Sequence, residues 1–248
     1  MRFRLWFHAA ILVAAVAPAS TASAGTIQDC GPNGSLCAVT LSIDDVEVAN
    51  GHYEIDSTNG KLIWYGPLSG SSGDSTVTVD NLWGNADPIL GFATSASTGG
   101  VGGAFSITFT LPIALTGLID AAAQVSYSLT GTTLPGAQIS PLFGKVLLAR
   151  EVDTSIGGLS PLDKGVDVGN TFSCTPGPCN STSPTYAATS QFAGDLAYDL
   201  MSVTVAYSLS PSSHVGITGF VQQVPEPGTA SLVGLGILAV AVASRKRS

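Results

Sequence analysis

Short runs of alternating apolar and polar residues recur along the middle of this chain, and they restrict its fold more than any other feature. Val39, Leu41 and Ile43 alternate with Thr40 and Ser42, and Val77 and Val79 with Thr76 and Thr78. Phe105, Ile107, Phe109 and Leu111 alternate with Ser106, Thr108 and Thr110. Val125, Tyr127 and Leu129 follow the same rule, as do Val203, Val205 and Tyr207, and Val215, Ile217 and Val221 share one face near the end of the run. Period-two patterning sets one face of a strand on a core and the other in water. Val, Ile, Thr, Tyr and Phe also suit a pleated sheet. Turn-forming clusters separate the runs, as at Asn59-Gly60, Gly70-Ser71-Ser72-Gly73 and Ser210-Pro211-Ser212-Ser213. Helical spacing is weak everywhere; Gln191 to Met201 is the best candidate for a short helix, and Ser155 to Thr189 reads as loop-rich. The expectation is an all-β body over residues 25–223: one antiparallel β-sandwich, jelly-roll-like.

Charge narrows the function. Only 10% of the 248 residues are charged. Between Gly25 and Pro227 the basic residues are Lys61, Lys145, Arg150 and Lys164, against all 17 acidic ones, a net of −13. Phosphate binding depends on Lys and Arg, so nucleic acid is excluded as a partner.

The ends differ from the body. Arg2 and Arg4 precede an apolar stretch from Leu5 to Ala17, and small residues follow, with Ala22 and Ala24 at the positions a signal peptidase reads. Residues 1–24 are therefore expected to be a signal peptide, cleaved after Ala24. The apolar stretch is short for a membrane span of about 20 residues. At the other end, Val224-Pro225-Glu226-Pro227 is followed by an uncharged run from Ala230 to Ala243 and then by Arg245-Lys246-Arg247. A basic end stays on the cytoplasmic side, which places the body outside. Proline blocks continuation of a helix or central strand, so the segment before the run is expected to be extended and exposed.

These three parts, in this order over residues 224–248, resemble the PEP-CTERM sorting signal of Gram-negative bacteria. The resemblance implies export through the inner membrane, a transient C-terminal transmembrane helix, and recognition by exosortase, a membrane-embedded cysteine transpeptidase-like enzyme. It further implies a cell-surface or extracellular destination and an association with extracellular polysaccharide or biofilm. Gly84-Asn85-Ala86-Asp87-Pro88-Ile89-Leu90-Gly91-Phe92 is similar to an Asn-x-Asp-Pro segment of many PEP-CTERM surface proteins, and carries no known chemistry with it.

Cys30, Cys37, Cys174 and Cys179 form two close pairs. In an exported chain disulfides are expected. Four cysteines allow three pairings, and spacing favours Cys30–Cys37 and Cys174–Cys179, each across a turn-forming sequence. A four-cysteine zinc site is the rival reading, disfavoured by the wider first spacing and by export.

Catalytic residues are not evident. Outside the signal peptide the histidines are His52, which follows Asn50-Gly51 in what reads as a turn, and His214, which starts a strand after one. There is no Gly-x-Ser-x-Gly elbow and no His-Glu-x-x-His motif. Asp44, Asp45 and Glu47 form one small acidic cluster, and Asp80 and Asp87, with Asn81 and Asn85, form another. Calcium takes such oxygen ligands, but EF-hand spacing is absent, and solvated loops outweigh a calcium site. No metal or cofactor is therefore expected, with calcium as the alternative. Trp64, Tyr65 and Trp83 have faces suited to a sugar, although core packing is the default for large aromatics. The reading is an exported, non-catalytic surface or matrix protein. The alternative is a secreted carbohydrate-active hydrolase using paired carboxylates.

Overall fold

The computed structural model describes residues 30–31, 34–86, 88–115, 117–154, 165–195 and 198–225. The chain runs through β1 (Ala38–Ile43), β2 (Val46–His52), β3 (Glu54–Ile55), β4 (Leu62–Ile63), β5 (Leu68–Ser72), β6 (Ser75–Asn85), β7 (Ile89–Ser97) and β8 (Gly103–Pro112). It continues through β9 (Gly117–Gly131), β10 (Ala137–Pro141), β11 (Leu147–Val152), β12 (Phe172–Cys174), β13 (Cys179–Thr182), β14 (Tyr186–Gly194), β15 (Leu200–Leu209) and β16 (Ser213–Pro225). No α-helix occurs among the described residues.

Fourteen of the strands form two seven-stranded antiparallel sheets, and β3 pairs with β4 in a separate two-stranded one. The first has the order β12-β10-β15-β8-β1-β2, with β11 also on β15, and the second β13-β9-β16-β7-β6-β5, with β14 also on β9. The alternating runs explain why these sheets share a core. In β8 every second side chain from Phe105 to Leu111 is fully buried, as are Val39, Leu41 and Ile43 of β1. From the second sheet Phe92, Val125, Ile217 and Val221 meet them in one apolar cluster. The rings of Phe92 and Phe109 stack across the two sheets with centroids 5.4 Å apart. Each fully buried side chain of this kind contributes about 1.5–3 kcal/mol.

Both margins of the pair of sheets are closed. At one, β2 lies against β5: a Cβ on Gly70 would stand 2.4 Å from Val48 Cγ2, so only glycine allows this approach. At the other, Cys174 ends β12 in the first sheet and Cys179 opens β13 in the second, and their disulfide ties the sheets together. Cys30 and Cys37 form the second disulfide, just before β1. Spacing had favoured both pairings, and no cysteine is free.

Three local expectations are corrected. Ser155 to Thr189 is not simply loop: its described part holds β12, β13 and the start of β14, paired with β10 and β9. Gln191–Gly194 ends β14 and Leu200–Met201 begins β15, so no helix forms there. A full ladder of partners on β9 and β8 outweighs weak helical spacing. Asn50 and Gly51 are not a turn either: they lie inside β2, opposite Thr40 and Val39. The reversal falls at Asp44–Asp45, whose φ angles of 51° and 63° fit a two-residue hairpin turn. Aspartate tolerates that region better than most residues.

Candidate binding face

The outer face of the second sheet gathers aromatic, hydroxyl and amide side chains, and register builds it. In β6 the pairing slips by one residue between Val79 and Asn81. A slip of one residue exchanges the faces of a strand. Val77 and Val79 point inward, and after the slip Leu82 does so and Trp83 points outward. Without the bulge Trp83 would enter the core.

Trp83 pairs with Gly91 of β7, Gly91 with Phe220 of β16, and Phe220 with Gln124 of β9. This single row crosses four strands. A Cβ on Gly91 would stand 2.0 Å from Trp83 Cε2 and 2.1 Å from Cζ2, so the indole lies across the bare glycine. Its other face is open, with 49% of the residue exposed. Phe220 is half-buried beside it.

A depression lies on each side of this row. One, of about 300 Å³, is lined by Asp80, Ser95, Ser126, Ser128, Thr182 and Thr218, with Gly216 leaving space between them. The other, of about 720 Å³, is lined by Asp120, Ala122, Thr189, Gln191, Gln222 and Val224. Hydroxyl and amide groups pair across strands here: Ser126 Oγ with Thr218 Oγ1 at 3.0 Å, and Gln191 Nε2 donating to Asp120 Oδ1 at 2.7 Å. Among the described residues, neither depression is lined by a lysine or arginine.

The other candidates are dispersed. Trp64 packs partly against the core. Tyr65 is 67% exposed and donates its hydroxyl to Glu54 Oε2 at 2.6 Å. His52 and His214 stand on different sheets, both exposed. Asp44 Oδ1 accepts the Ala104 N–H at 2.8 Å, and Glu47 Oε1 accepts from Asn50 Nδ2 at 2.6 Å. Asp80 belongs to the other sheet, and Asp87 lies outside the described residues. Among the described residues no group of three His, Cys, Asp or Glu side chains gathers to hold a metal.

Val224 and Pro225, the first half of the Val-Pro-Glu-Pro sequence, are the last residues of β16, opposite Asp120 and Ile119 of β9. Ala22, Ala24, Glu226, Pro227, the apolar run and Arg245-Lys246-Arg247 lie outside the described residues. No helix among the described residues is long and apolar enough to cross a membrane.

Residues 223–247 match the PEP-CTERM protein-sorting motif. The chain thus carries the signal of an exported protein sorted by exosortase to the surface or the extracellular space. No curated protein matches the sequence. Solved structures that overlap it include TmCBM61 in complex with beta-1,4-galactotriose, at 9% identity over 64% of this chain and 88% of that one, with a TM-score of 0.26. Another is a carbohydrate-binding module of the β-sandwich superfamily, at 9% identity over 73% of this chain and 82% of that one, TM-score 0.30. A third is the enzymatically active domain of bacteriophage CBA120 tailspike protein 4, at 14% identity and TM-score 0.26. That overlap takes in 61% of this chain and spans only 19% of the tailspike chain.

Proposed function

We propose that the protein is a non-catalytic surface or matrix component that holds neutral extracellular polysaccharide on the outer face of its second sheet. One observation carries this reading: a half-exposed indole, laid flat over Gly91, stands in line with Phe220 and Gln124 between two hydroxyl-lined depressions. An aromatic plane offers apolar area to the C–H face of a pyranose ring. Thr218 and Gln222 lie two strands from the indole and Gln124 and Ser126 three strands from it on the same face, placed to exchange hydrogen bonds with further sugars of a bound polymer. Many weak contacts of this kind along a polymer give avidity without a deep pocket. The polysaccharide class follows from charge. Among the described residues the carboxylates on the face are Asp80 and Asp120 and no cation lines either depression, which disfavours a polyanionic glycan.

The same carboxylates argue against hydrolysis at this face. Asp80 is on β6 and Asp120 on β9, three strand spacings apart. That separates them by roughly 14 Å across the sheet alone. A glycosidase pair works at about 5–9.5 Å.

The test uses the exported protein purified from its host. Its migration should be retarded in gels containing the neutral fraction of the host's extracellular polysaccharide, and Trp83→Ala should abolish the retardation. No reducing ends should appear. Unretarded migration of the native protein rejects the reading, and hydrolysis lost in Asp80→Asn or Asp120→Asn would decide for an enzyme.

A further inference from the structure

The sorting motif begins inside the fold. β16 keeps β9 as a partner for its whole length, from Ser213 opposite Gly131 to Pro225 opposite Ile119. Its pairing with β7 ends earlier, at Gln222 opposite Ile89, and the Gln223 N–H then donates to Pro88 O at 2.9 Å. At Val224 and Pro225, therefore, β9 is the only strand paired with β16 among the described residues. The match to the sorting motif starts at this same residue, 223.

Two chemical features weaken the strand here. Gln223 occupies an inward position that the pattern of Val215, Ile217 and Val221 would fill with an aliphatic side chain. It is fully buried, and neither its amide oxygen nor its nitrogen has a hydrogen-bond partner among the described residues. A buried polar group without a partner costs stability that water would restore on opening. Pro225, two residues on, has no N–H to give to a ladder. Strand ends held on one side open at low free energy.

A processing enzyme needs its substrate peptide extended and unpaired, because it makes its own backbone contacts to it. Val224 and Pro225 cannot serve while they remain on β9. We infer that the sorting enzyme acts on a minor state in which β16 has opened from Gln223 onward, freeing Val224 and Pro225 from Asp120 and Ile119, and that the buried Gln223 amide sets how often this state forms. The body thus limits its own release rate, independently of what it binds.

The test follows processing of the full-length protein in its host by pulse–chase. Directly opposed residues of an antiparallel pair have Cα atoms about 4.5–5.5 Å apart, within the range of a disulfide. Val224→Cys with Asp120→Cys, once oxidised and confirmed by peptide mapping, should hold the precursor with its tail attached, and added reductant should restore processing. The rate of each single cysteine variant is the reference against which the crosslinked and the reduced double variant are compared. Gln223→Leu removes the unpaired amide without a cysteine, and should slow processing roughly tenfold. A four-residue Gly-Ser insertion between Gln223 and Val224 should restore the rate in that background. Processing of the crosslinked precursor at the native rate would overturn the inference. So would an unchanged rate in a folded Gln223→Leu protein, whether or not the crosslink forms. Polysaccharide binding does not enter this readout, so the two readings fail separately.

Discussion

Adding one methyl group beneath Trp83 tests the binding face with little else disturbed. The φ of Gly91 is not in the left-handed region, so alanine fits its backbone. The new Cβ would lie 2.0, 2.1 and 2.6 Å from three atoms of the indole, which must lift to reach ordinary contact. Carbon atoms rest at about 3.5–4 Å, so the ring moves by roughly 1.5–2 Å. With Trp83 49% exposed, about half of its area is covered in the native protein. For an aromatic of roughly 200 Å² that is about 100 Å², worth up to ~2.5 kcal/mol if the ring came away entirely. Partial displacement in Gly91→Ala should cost about 1–2 kcal/mol of stability. Binding should suffer more visibly. A buried Trp anchor is commonly worth about 2 kcal/mol, or close to thirtyfold in affinity. Gly91→Ala should therefore approach Trp83→Ala in gel retardation on neutral polysaccharide, while a denaturant titration shows it still folded. Gly100→Ala is the control, because a Cβ there meets nothing within 4 Å. Native binding by Gly91→Ala, with Trp83→Ala impaired, would refute the stacked geometry. Native binding by both would refute the face.

Three further outcomes are expected. Replacing Cys174 and Cys179 with serine unties the two sheets at one margin and should lower stability by about 2 kcal/mol, the chain-entropy value for so short a loop, read from the urea midpoint; no change would mean the margin holds without the bond. Burial pushes the phenols of Tyr53, Tyr127 and Tyr207 well above their ordinary value. Their folded-state pKa values are raised, so the stability they support is complete below about pH 10 and falls above it, at up to ~1.4 kcal/mol per pH unit for each; a urea midpoint that stays level to pH 11 would contradict this. Mass spectrometry of the surface-exposed protein should find a chain that starts near Gly25 and lacks residues 232–248, and an intact tail there would sink the sorting assignment.

The strands and the core were legible because alternation states which side chains face inward. Phe105 to Leu111 in β8 and Val203 to Tyr207 in β15 required no other signal. Strand order was not legible, since alternation says nothing about neighbours, and a jelly-roll-like arrangement could only be supposed. Most of the binding face was hidden for the same reason. Phe220, Gly91 and Trp83 are far apart in sequence and meet only through register. Trp83 was further obscured by phase: counting by twos from Val77 and Val79 points it into the core. The polar pair Asp80-Asn81 before Leu82 was the available sign that the phase shifts. The Cys174–Cys179 bridge was legible because four intervening residues with two prolines and a glycine leave little choice of partner. Its role between the sheets was not, because nothing local marks β12 and β13 as belonging to different ones. Gln223 broke the apolar pattern openly, yet its meaning depends on its burial at the place where β7 ends.

The scarcity of charge in this chain fits a face that works by contact. On most sheets the solvent side carries Lys and Glu, whose long stems spread over neighbouring apolar surface. Such side chains around Trp83 would shade the indole and fill the depressions beside it. Ser and Thr are short, so the face stays low and the aromatic row stands proud of it. Their hydroxyls also satisfy one another across strands, at 2.8 Å for Thr76 and Ser97 and 2.9 Å for Ser69 and Thr78. Each hydroxyl keeps acceptor capacity for a sugar without being left unpaired when water is displaced. A charged side chain would have to be desolvated at much greater cost under the same polymer. The acidic residues that keep the exported body soluble stand instead mostly at turns and strand ends, as Asp44, Asp45 and Asp56 do. On the proposed reading, solubility and adhesion are served by different parts of the same sheets. Lysines introduced at Ser95 and Ser126 should weaken retention of neutral polysaccharide, and retention that is unchanged or increased would show that contact with this face does not hold the polymer.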